Sequence, residues 1–575
     1  MQKVLTTEQM REVDRLTTER YGIPSIILME NAAHAVARVI TEKLGGSVKG
    51  KSILILCGKG NNGGDGAALA RILWQDGALV SLLLFGRIEQ LKGDAKLNFD
   101  VLRSFEEGVA TSAGEFNKFL VHDDEENLVP LLEGILCDGI DIAVDALFGT
   151  GLSKELSGIY LEVIQRLENH RPTMISVDLP SGLDANKSSP IGRTITADLT
   201  VTFTAPKPAN VIAPCSSLNG KLIVANIGTP FELIEEQRSN LFVTELFDIE
   251  RWFERTEFND SSYKNKRGHA MMVAGSEDYS GAAVMCGNSA MRSGVGLTTL
   301  LVPAACKVEV ASRVIPEVIV RTLDETDGEF SPNAFAANAE AIGQADSILV
   351  GPGLNATDKG VEKLVREIVE SRSVPVIVDA GALWFFGQES GRLRPFEESK
   401  NRNARTKPSV LRSLILTPHE GEFLRMLGTD DKSVLKDRVA AVREFAVSND
   451  VILVLKGERV LIGSPDGRVV VNPTGNSGLG KAGNGDTLAG ILAGFVAQAV
   501  RFEIDIFETV VAAVYVAGMA GDAAEKKFGK RVMTASDVRE CLVDVFAVFE
   551  KPRDEKSNKK QDSQEGGLAP AISLH

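Results

Sequence analysis

Four stretches of the sequence combine glycine with carboxylate, amide or hydroxyl side chains at spacings that could hold an anion or a cation. They are CGKGNNGGDG (57–66), VDALFGTGLS (144–153), DLPSGLDA (178–185) and GNSGLGKAGNGDTLAG (475–490). The last satisfies two phosphate patterns. Gly475 to Lys481 spell G-x-x-x-x-G-K, but Ala482 stands where a P-loop needs a Ser or Thr hydroxyl for magnesium; Gly478, Gly480 and Gly483 spell G-x-G-x-x-G. The informative part is GNGD. At a helix start, the N–H groups of Gly483, Asn484 and Gly485 can surround charge developing on a transferring phosphoryl group, and Asp486 can accept a proton from the attacking hydroxyl. The Gly475 to Lys481 run is expected to be a flexible approach, with Lys481 within reach of phosphate.

Upstream, ILVLKGERV (452–460) puts Lys456 after an apolar run, as a phosphate contact or a solvated strand end. LTPHEGEF (416–423) crowds His419, Glu420 and Glu422 at another strand end. That suits magnesium or substrate, since magnesium is commonly held by one or two carboxylates plus phosphate oxygens. A structural histidine is the alternative.

In the first half, GKGNNGGDG reads as a glycine loop feeding the helix AALARILW, with an anion at the helix N-terminus. An ordinary dinucleotide site would offer an acidic residue about 20 positions on, for the ribose. The next strand ends instead in FGR, and Arg87 argues against a common NAD-dependent dehydrogenase. The three N-terminal loops together supply Asn62, Asp65, Asp145, Asp178, Ser181 and Asp184. All bear oxygen, which suits an alkali or alkaline-earth cation over zinc. The competing reading is that these residues only cap helices.

Elements that could position these groups are legible. SILILC, LVSLLLF, IAVDALFG, TMISVDLP, LTVTFTA and KLIVANIG alternate with helical patterns; HAMMVAGS, LTTLLVP, SILVGPG, PVIVDAG, LILTPHE and VILVLKG form a second series. Such alternation implies parallel sheets covered by helices, hence two α/β domains. The segment 231–267 lacks strand alternation and reads as a linker; 387–408 reads as an exposed insertion; 551–575 is too hydrophilic to bury and reads as a disordered tail. The opening helix puts Met10, Val13 and Leu16 on one face and is no signal peptide. No apolar run approaches the roughly 18 residues of a membrane span. The net charge of −15 argues against a nucleic-acid or membrane surface. Six scattered cysteines without a C-x-x-C pair fit a reducing, cytoplasmic location.

On these motifs the first 230 residues resemble the NAD(P)H-hydrate epimerase domain, carried by LTTEQMREVDRLTTERYGIPSIILMENAA, CGKGNNGGDG, VDALFGTGL and DLPSGLDA. The resemblance implies a Rossmann-like doubly wound sheet (1–230), hydrated NADH or NADPH as ligand, and potassium at Asn62, Asp145 and Ser181. Substrate contacts would fall at Asn61, Asn62, Gly63, Gly64 and Asp65, at Gly149, Thr150, Gly151, Leu152 and Ser153, and at Asp178. Inverting the hydroxylated carbon needs a proton acceptor and donor, for which Asp178 and Asp184 are the candidates.

GHAMMVAGS, GPGL, VDAGAL, LTPHEGEF, VLKG and NPTGNSGLGKAGNGDTLAGILAG resemble, in order, the ADP- or ATP-dependent NAD(P)H-hydrate dehydratase domain. That implies a ribokinase-like α/β sheet over 268–550, with Mg2+ and ADP or ATP. Substrate contacts would fall at Ala282, Gly353, His419 and Asp486, and nucleotide contacts at Lys456, Gly457, Glu458, Arg459, Val460 and Gly485. The chain departs from the family pattern at Gly381, where DADAL becomes DAGAL, at Val460 in place of Thr, and at Asn484 in place of Thr. Two other readings stay open: a kinase of a vitamin precursor, which uses the same chemistry, and an N-terminal domain that serves as a binding module. Sheets of this type often assemble into homo-oligomers, and no residue specifies an interface.

Overall fold

The computed structural model describes residues 1–110, 119–122, 127–323, 325–326, 329–331, 333–386, 412–550 and 572–574. The insertion expected at 387–408 lies outside the described residues. The chain divides into two compact units, Gln2–Leu241 with Gly567–His575, and Phe242–Gly566 with Met1.

In the first unit an eight-stranded sheet runs in the order Ile572–Leu574, Lys221–Ala225, Leu199–Phe203, Met174–Val177, Ile142–Ala146, Ser52–Cys57, Leu79–Leu84, Phe119–His122. Pairing is parallel except at Ile572–Leu574, the one described piece of the expected tail, which lies antiparallel on Lys221–Ala225. Central strands are buried on both faces, hence runs such as SILILC. Chain order reverses at Ser52–Cys57, flanked by Leu79–Leu84 and Ile142–Ala146, and ligands of open α/β sheets bind at such a switch point. The opening helix, Thr7–Tyr21, buries Met10, Val13 and Leu16 as its spacing requires.

One expectation fails here. GNNGGD does not form a loop ahead of the helix; the helix itself starts at Asn61 and runs to Gln75. Its glycines answer to packing. A Cβ at Gly63 would stand 1.8 Å from Gly58 O, one at Gly64 2.8 Å from Met29 Cε, and one at Gly66 2.7 Å from Cys57 Sγ.

The second unit repeats the plan. Ile319–Leu323, Leu297–Pro303, His269–Val273, Ser347–Val350, Val376–Val378, Leu414–Leu416 and Ile452–Leu455 are parallel neighbours, with Leu461–Gly463 and Val469–Val471 added antiparallel. Order reverses at His269–Val273. Part of the expected linker belongs to this core: helix Leu246–Arg255 buries Ile249, Trp252 and Phe253, and Trp252 stacks on Phe495 with ring centroids 4.1 Å apart. The aromatic residues that broke the strand pattern are thus core anchors. Helix Ile506–Phe528 is long and apolar enough to cross a membrane, contrary to the sequence expectation, but 78% of its apolar window is buried within the protein.

Helix Asn484–Phe502 packs against Ser280–Arg292 at a distance only glycine allows. A Cβ at Gly490 would lie 2.3 Å from Cys286 O, and one at Gly494 1.9 Å from Ser293 Oγ. Gly490→Ala should therefore destabilise this domain by about 1–3 kcal/mol, the usual cost of overpacking, measurable as a lowered thermal midpoint.

Candidate functional sites

In the N-terminal unit, strand ends gather the acidic loops. Asp145, fully buried at the end of Ile142–Ala146, accepts hydrogen bonds from Ser181 Oγ (2.6 Å) and Leu147 N–H (3.3 Å) on one oxygen. Its other oxygen accepts from Ser181 N–H (2.8 Å) and Ser176 Oγ (3.0 Å). Burial pushes its pKa up against the pull of these donors. Ser181 Oγ also accepts from Phe148 N–H (2.9 Å). Asn62 is buried with its Nδ2 unpartnered. A Cβ at Gly149 would lie 3.3 Å from Asn62 Oδ1 and 3.4 Å from Asp178 Oδ2, so both oxygens face the Gly149 loop and a larger residue there would fill the space.

Asp178 adopts φ 66°, a left-handed conformation, after strand Met174–Val177. Its N–H donates to Val201 O (2.7 Å) and its carbonyl accepts from Asn210 Nδ2 (3.3 Å). Such strain costs on the order of 1–3 kcal/mol and concentrates at functional sites. Asp65 is held well above the usual carboxylate range by burial, reinforced by Asp178 and Asp14. Asp14, from the opening helix, is pushed up to about 6 by burial, with Lys207 opposing and Asp178 adding to the shift. Asp14 Oδ1 is buried without a hydrogen-bond partner.

Asn61, Gly151 and Ser153 are exposed, and Thr150 and Leu152 half-buried, whereas Gly63 and Gly64 turn into the helix packing described above. Asp184 is not brought to this cluster by any described contact. Its carboxylate accepts from Asn186 N–H (3.1 Å) and pairs with Lys187 (3.1 Å), the role of a turn cap. Arg87 is exposed.

The C-terminal site grows from three adjacent parallel strands, Val376–Val378, Leu414–Leu416 and Ile452–Leu455, whose ends deliver Asp379, Thr417 and Lys456 side by side. Lys456 Nζ donates to Asp379 Oδ1 (2.7 Å), which also accepts from Thr417 Oγ1 (2.8 Å); the Asp379 side chain is 2% exposed. A Cβ on Gly485 would lie 3.6 Å from Lys456 Nζ, placing the ammonium over the first turn of Asn484–Phe502. Burial alone would push Lys456 down, but Asp379, Glu422 and Asp486 outweigh it and hold it above its ordinary value. Asp486 is pushed up to about 6 by burial and by Asp379, against Lys456.

First-turn N–H groups have no intrahelical partner and favour an anion. Asn484 N–H turns onto Lys481 O (3.4 Å), while Asn484 Oδ1 and Thr487 Oγ1 are buried and unpartnered. His419 caps helix Glu420–Met426: its Nδ1 accepts from Glu422 N–H (3.2 Å), and Glu422 Oε2 accepts from His419 N–H (2.8 Å). Glu422 is thus tied into a capping box, and Glu420 lies 3.4 Å from Arg438 Nε. The His419 ring remains 61% exposed, and the residue bridges to Lys456.

Gly353, at φ 70°, and Ala282 do meet: a Cβ at Gly353 would lie 2.9 Å from Ala282 Cβ and 2.7 Å from Tyr279 O. The helix bearing Ala282 reaches Gly483 through Met285, whose Sδ would be 2.3 Å from a Cβ there. The Lys456 to Val460 segment is anchored from behind. Arg438 Nη1 donates to Glu458 O (2.9 Å), the Arg459 guanidinium bonds Pro473 O, and Val460 packs on the core.

Two expectations change. Lys481 Nζ donates to Arg531 O (2.6 Å) and Met533 O (2.8 Å), so it fastens a turn instead of facing phosphate. The run ahead of it is pinned, not flexible: Gly475 N–H and Asn476 Nδ2 both bond the Asp522 carboxylate, at 2.9 and 3.0 Å. Gly381 is tightly packed, with a Cβ there 2.2 Å from Leu354 O, so this backbone excludes the Asp of the family pattern.

Sequence reasoning missed Asp379, Lys207 and Asp14. VDAGAL carried the first and TAPKPAN the second as a lysine in an apolar setting; Asp14 sat on an otherwise ordinary charged helix face.

Comparison with known proteins gives a family for each half of the chain. Residues 270–543 match the family model described as NAD(P)H-hydrate dehydratase, and residues 25–209 that described as YjeF-related protein N-terminus. The bifunctional NAD(P)H-hydrate repair enzyme of Moorella thermoacetica is 34% identical over 540 residues, covering 94% of this chain and 96% of the relative. That of Thermofilum pendens is 33% identical, covering 93% and 94%. A solved ADP/ATP-dependent NAD(P)H-hydrate dehydratase from Bacillus subtilis, co-crystallised with ATP and Mg2+, is 28% identical, with a TM-score of 0.41, and covers 51% of this chain and 94% of its own. The chain belongs to the family of bifunctional NAD(P)H-hydrate repair enzymes, with an epimerase and a dehydratase domain.

Proposed function

We propose that the dehydratase half works as a kinase whose product is made to fall apart, and that it takes MgADP or MgATP as co-substrate. The observation that carries this is the meeting of Lys456, the Gly485 backbone and Asp486 at one helix start. Asp486 accepts the proton of the hydrate hydroxyl, whose oxygen attacks the terminal phosphorus of the nucleotide, and the nucleotide departs one phosphate shorter. First-turn amides and Lys456 stabilise the charge on the phosphoryl oxygens. The C–O bond then breaks, with the ring nitrogen lone pair assisting and inorganic phosphate leaving. Loss of a proton from the adjacent carbon restores the ring double bond. Hydroxide would be a poor leaving group; phosphate is not. Because Asp379 and Glu422 are already committed, magnesium is read as arriving on the nucleotide.

In the N-terminal domain, Asp178 is the proton acceptor. Taking the hydroxyl proton lets the carbon–nitrogen bond of the hemiaminal open to an aldehyde, the electron pair going to nitrogen; rotation and reclosure give the other epimer. Potassium would suit the oxygen-only set of Asn62, Asp145 and Ser181, of which Asn62 Oδ1 faces the Gly149 loop. Bound there, it would supply positive charge beside the substrate's phosphates or hydroxyl. A cytoplasmic setting is supported by six cysteines with no disulfide among them, of which only Cys137 is exposed.

The test uses chemically prepared NADPH hydrate with ADP and ATP side by side. Absorbance of the reduced nicotinamide should return with one of them and inorganic phosphate should accumulate; a stable phosphorylated hydrate would sink the elimination step. Without nucleotide, R/S interconversion should require potassium. It should fall by about 10²–10⁴-fold in Asp178→Asn, the usual worth of a general base, and stay within a few-fold of wild type in Asp184→Asn.

A further inference from the structure

We propose that Lys207 is a positioning residue of the epimerase, aiming the Asp178 carboxylate at the substrate by occupying its other oxygen. This rests on Asp178 being the proton acceptor. Lys207 is 1% exposed, and its Nζ donates to Asp178 Oδ1 (2.5 Å), Thr202 Oγ1 (2.9 Å) and Phe203 O (2.7 Å). An ammonium has three protons, so all are used and none is left for substrate. Thr202 Oγ1 also donates to Asp178 Oδ1 (2.8 Å). The carboxylate is therefore asymmetric. Oδ1 is held from the sheet side, while Oδ2 faces the Gly149 loop, 3.4 Å from where a Cβ at that glycine would stand.

A buried lysine is costly unless paired, and here the pairing orients a functional group. Lys207 is anchored locally, since its own N–H donates to Asn210 Oδ1 (2.8 Å) and Asn210 Nδ2 holds the strained Asp178 carbonyl. Lys207 and Asn210 thus grip Asp178 at carboxylate and backbone together. The charges facing this pair are Asp14 from helix Thr7–Tyr21 and Asp65 from helix Asn61–Gln75, both disfavoured as anions. Lys207 answers the Asp178 carboxylate on Oδ1, and Oδ2 is left towards the Gly149 loop.

The experiment measures R/S interconversion of NADPH hydrate by the full-length chain without nucleotide, for Asp178→Asn, Lys207→Met and Thr202→Val. Lys207→Met should lower kcat at least 100-fold with KM within threefold. Thr202→Val keeps shape and charge and removes one donor to Oδ1; its kcat should fall about tenfold at unchanged KM. If Lys207→Met does not fold, Thr202→Val decides, and wild-type kcat there overturns the proposal. Wild-type kcat in Lys207→Met, beside an inactive Asp178→Asn, also overturns it. An active Asp178→Asn would instead remove the reading of Asp178 as base.

Discussion

Asp486→Asn should lower nucleotide-dependent hydrate repair by about 10²–10⁴-fold, the range for losing a positioned general base, while epimerisation by the same chain continues. Asparagine keeps the shape and the helix start but cannot accept a proton. The wild-type pH profile should show the same group. With its pKa raised to about 6, chiefly by burial, Asp486 is a competent base above pH 6 and increasingly protonated below it. Repair should therefore decline on the acid side of 6, not near 4.

The same shift makes a stability prediction of opposite sign to the activity loss. The folded pKa lies above the ordinary aspartate value of 3.8, so the folded state holds this proton more tightly. The associated stabilisation is complete at low pH and disappears as pH rises from about 4 through 6. At pH 7.5 ionised Asp486 costs at most about 3 kcal/mol, from 1.4 kcal/mol per unit. The inactive Asn variant should thus melt higher than wild type at pH 7.5, with the gap closing towards pH 4. Full repair activity in Asp486→Asn would remove its assigned role; an unchanged melting point would instead remove the account of its environment.

The second large effect is expected at Asp379. Asp379→Asn leaves Lys456 buried beside a neutral amide, and breaking a buried pair costs about 3–5 kcal/mol. Two kinetic consequences follow. Lys456 loses the partner that holds it over Gly485, so KM for the nucleotide should rise and kcat fall by about two orders of magnitude, comparable to losing one preorganised donor. Asp486 loses a like charge that adds to burial in raising its pKa, so the acidic limb of the repair profile should move below 6. A purely structural loss would lower active protein without moving that limb, and an unmoved limb with normal kcat would refute the coupling.

How much of this was legible depended on range. Runs such as SILILC and ILVLK mark central strands because both faces are buried, and GNGD marks a helix start because glycine and an acidic residue favour one. Asp486, Lys456, Asp178, Asn62 and Gly149 all lie within such segments. GNNGGD was misplaced by the same local reasoning. Glycine allows a loop, but here Gly63, Gly64 and Gly66 are selected by the backbone and side chains of other elements, which let the helix begin at Asn61. Lys481 shows the same limit, since its partners Arg531 and Met533 are fifty residues away along the chain.

By itself, the sequence determined two α/β domains, the strands that build them and the motif residues at their ends, because hydrophobic periodicity and turn chemistry act over a few residues. Only the tertiary structure decided which polar residues answer one another. Asp379 reaches Lys456 across 77 residues, and Lys207 reaches Asp178 across 29, because parallel strands bring their C-terminal ends to one edge whatever separates them in the chain. Burial then sets their charge. A carboxylate or ammonium removed from water must find a partner, and which partner is near enough is a property of the sheet order, not of the spacing.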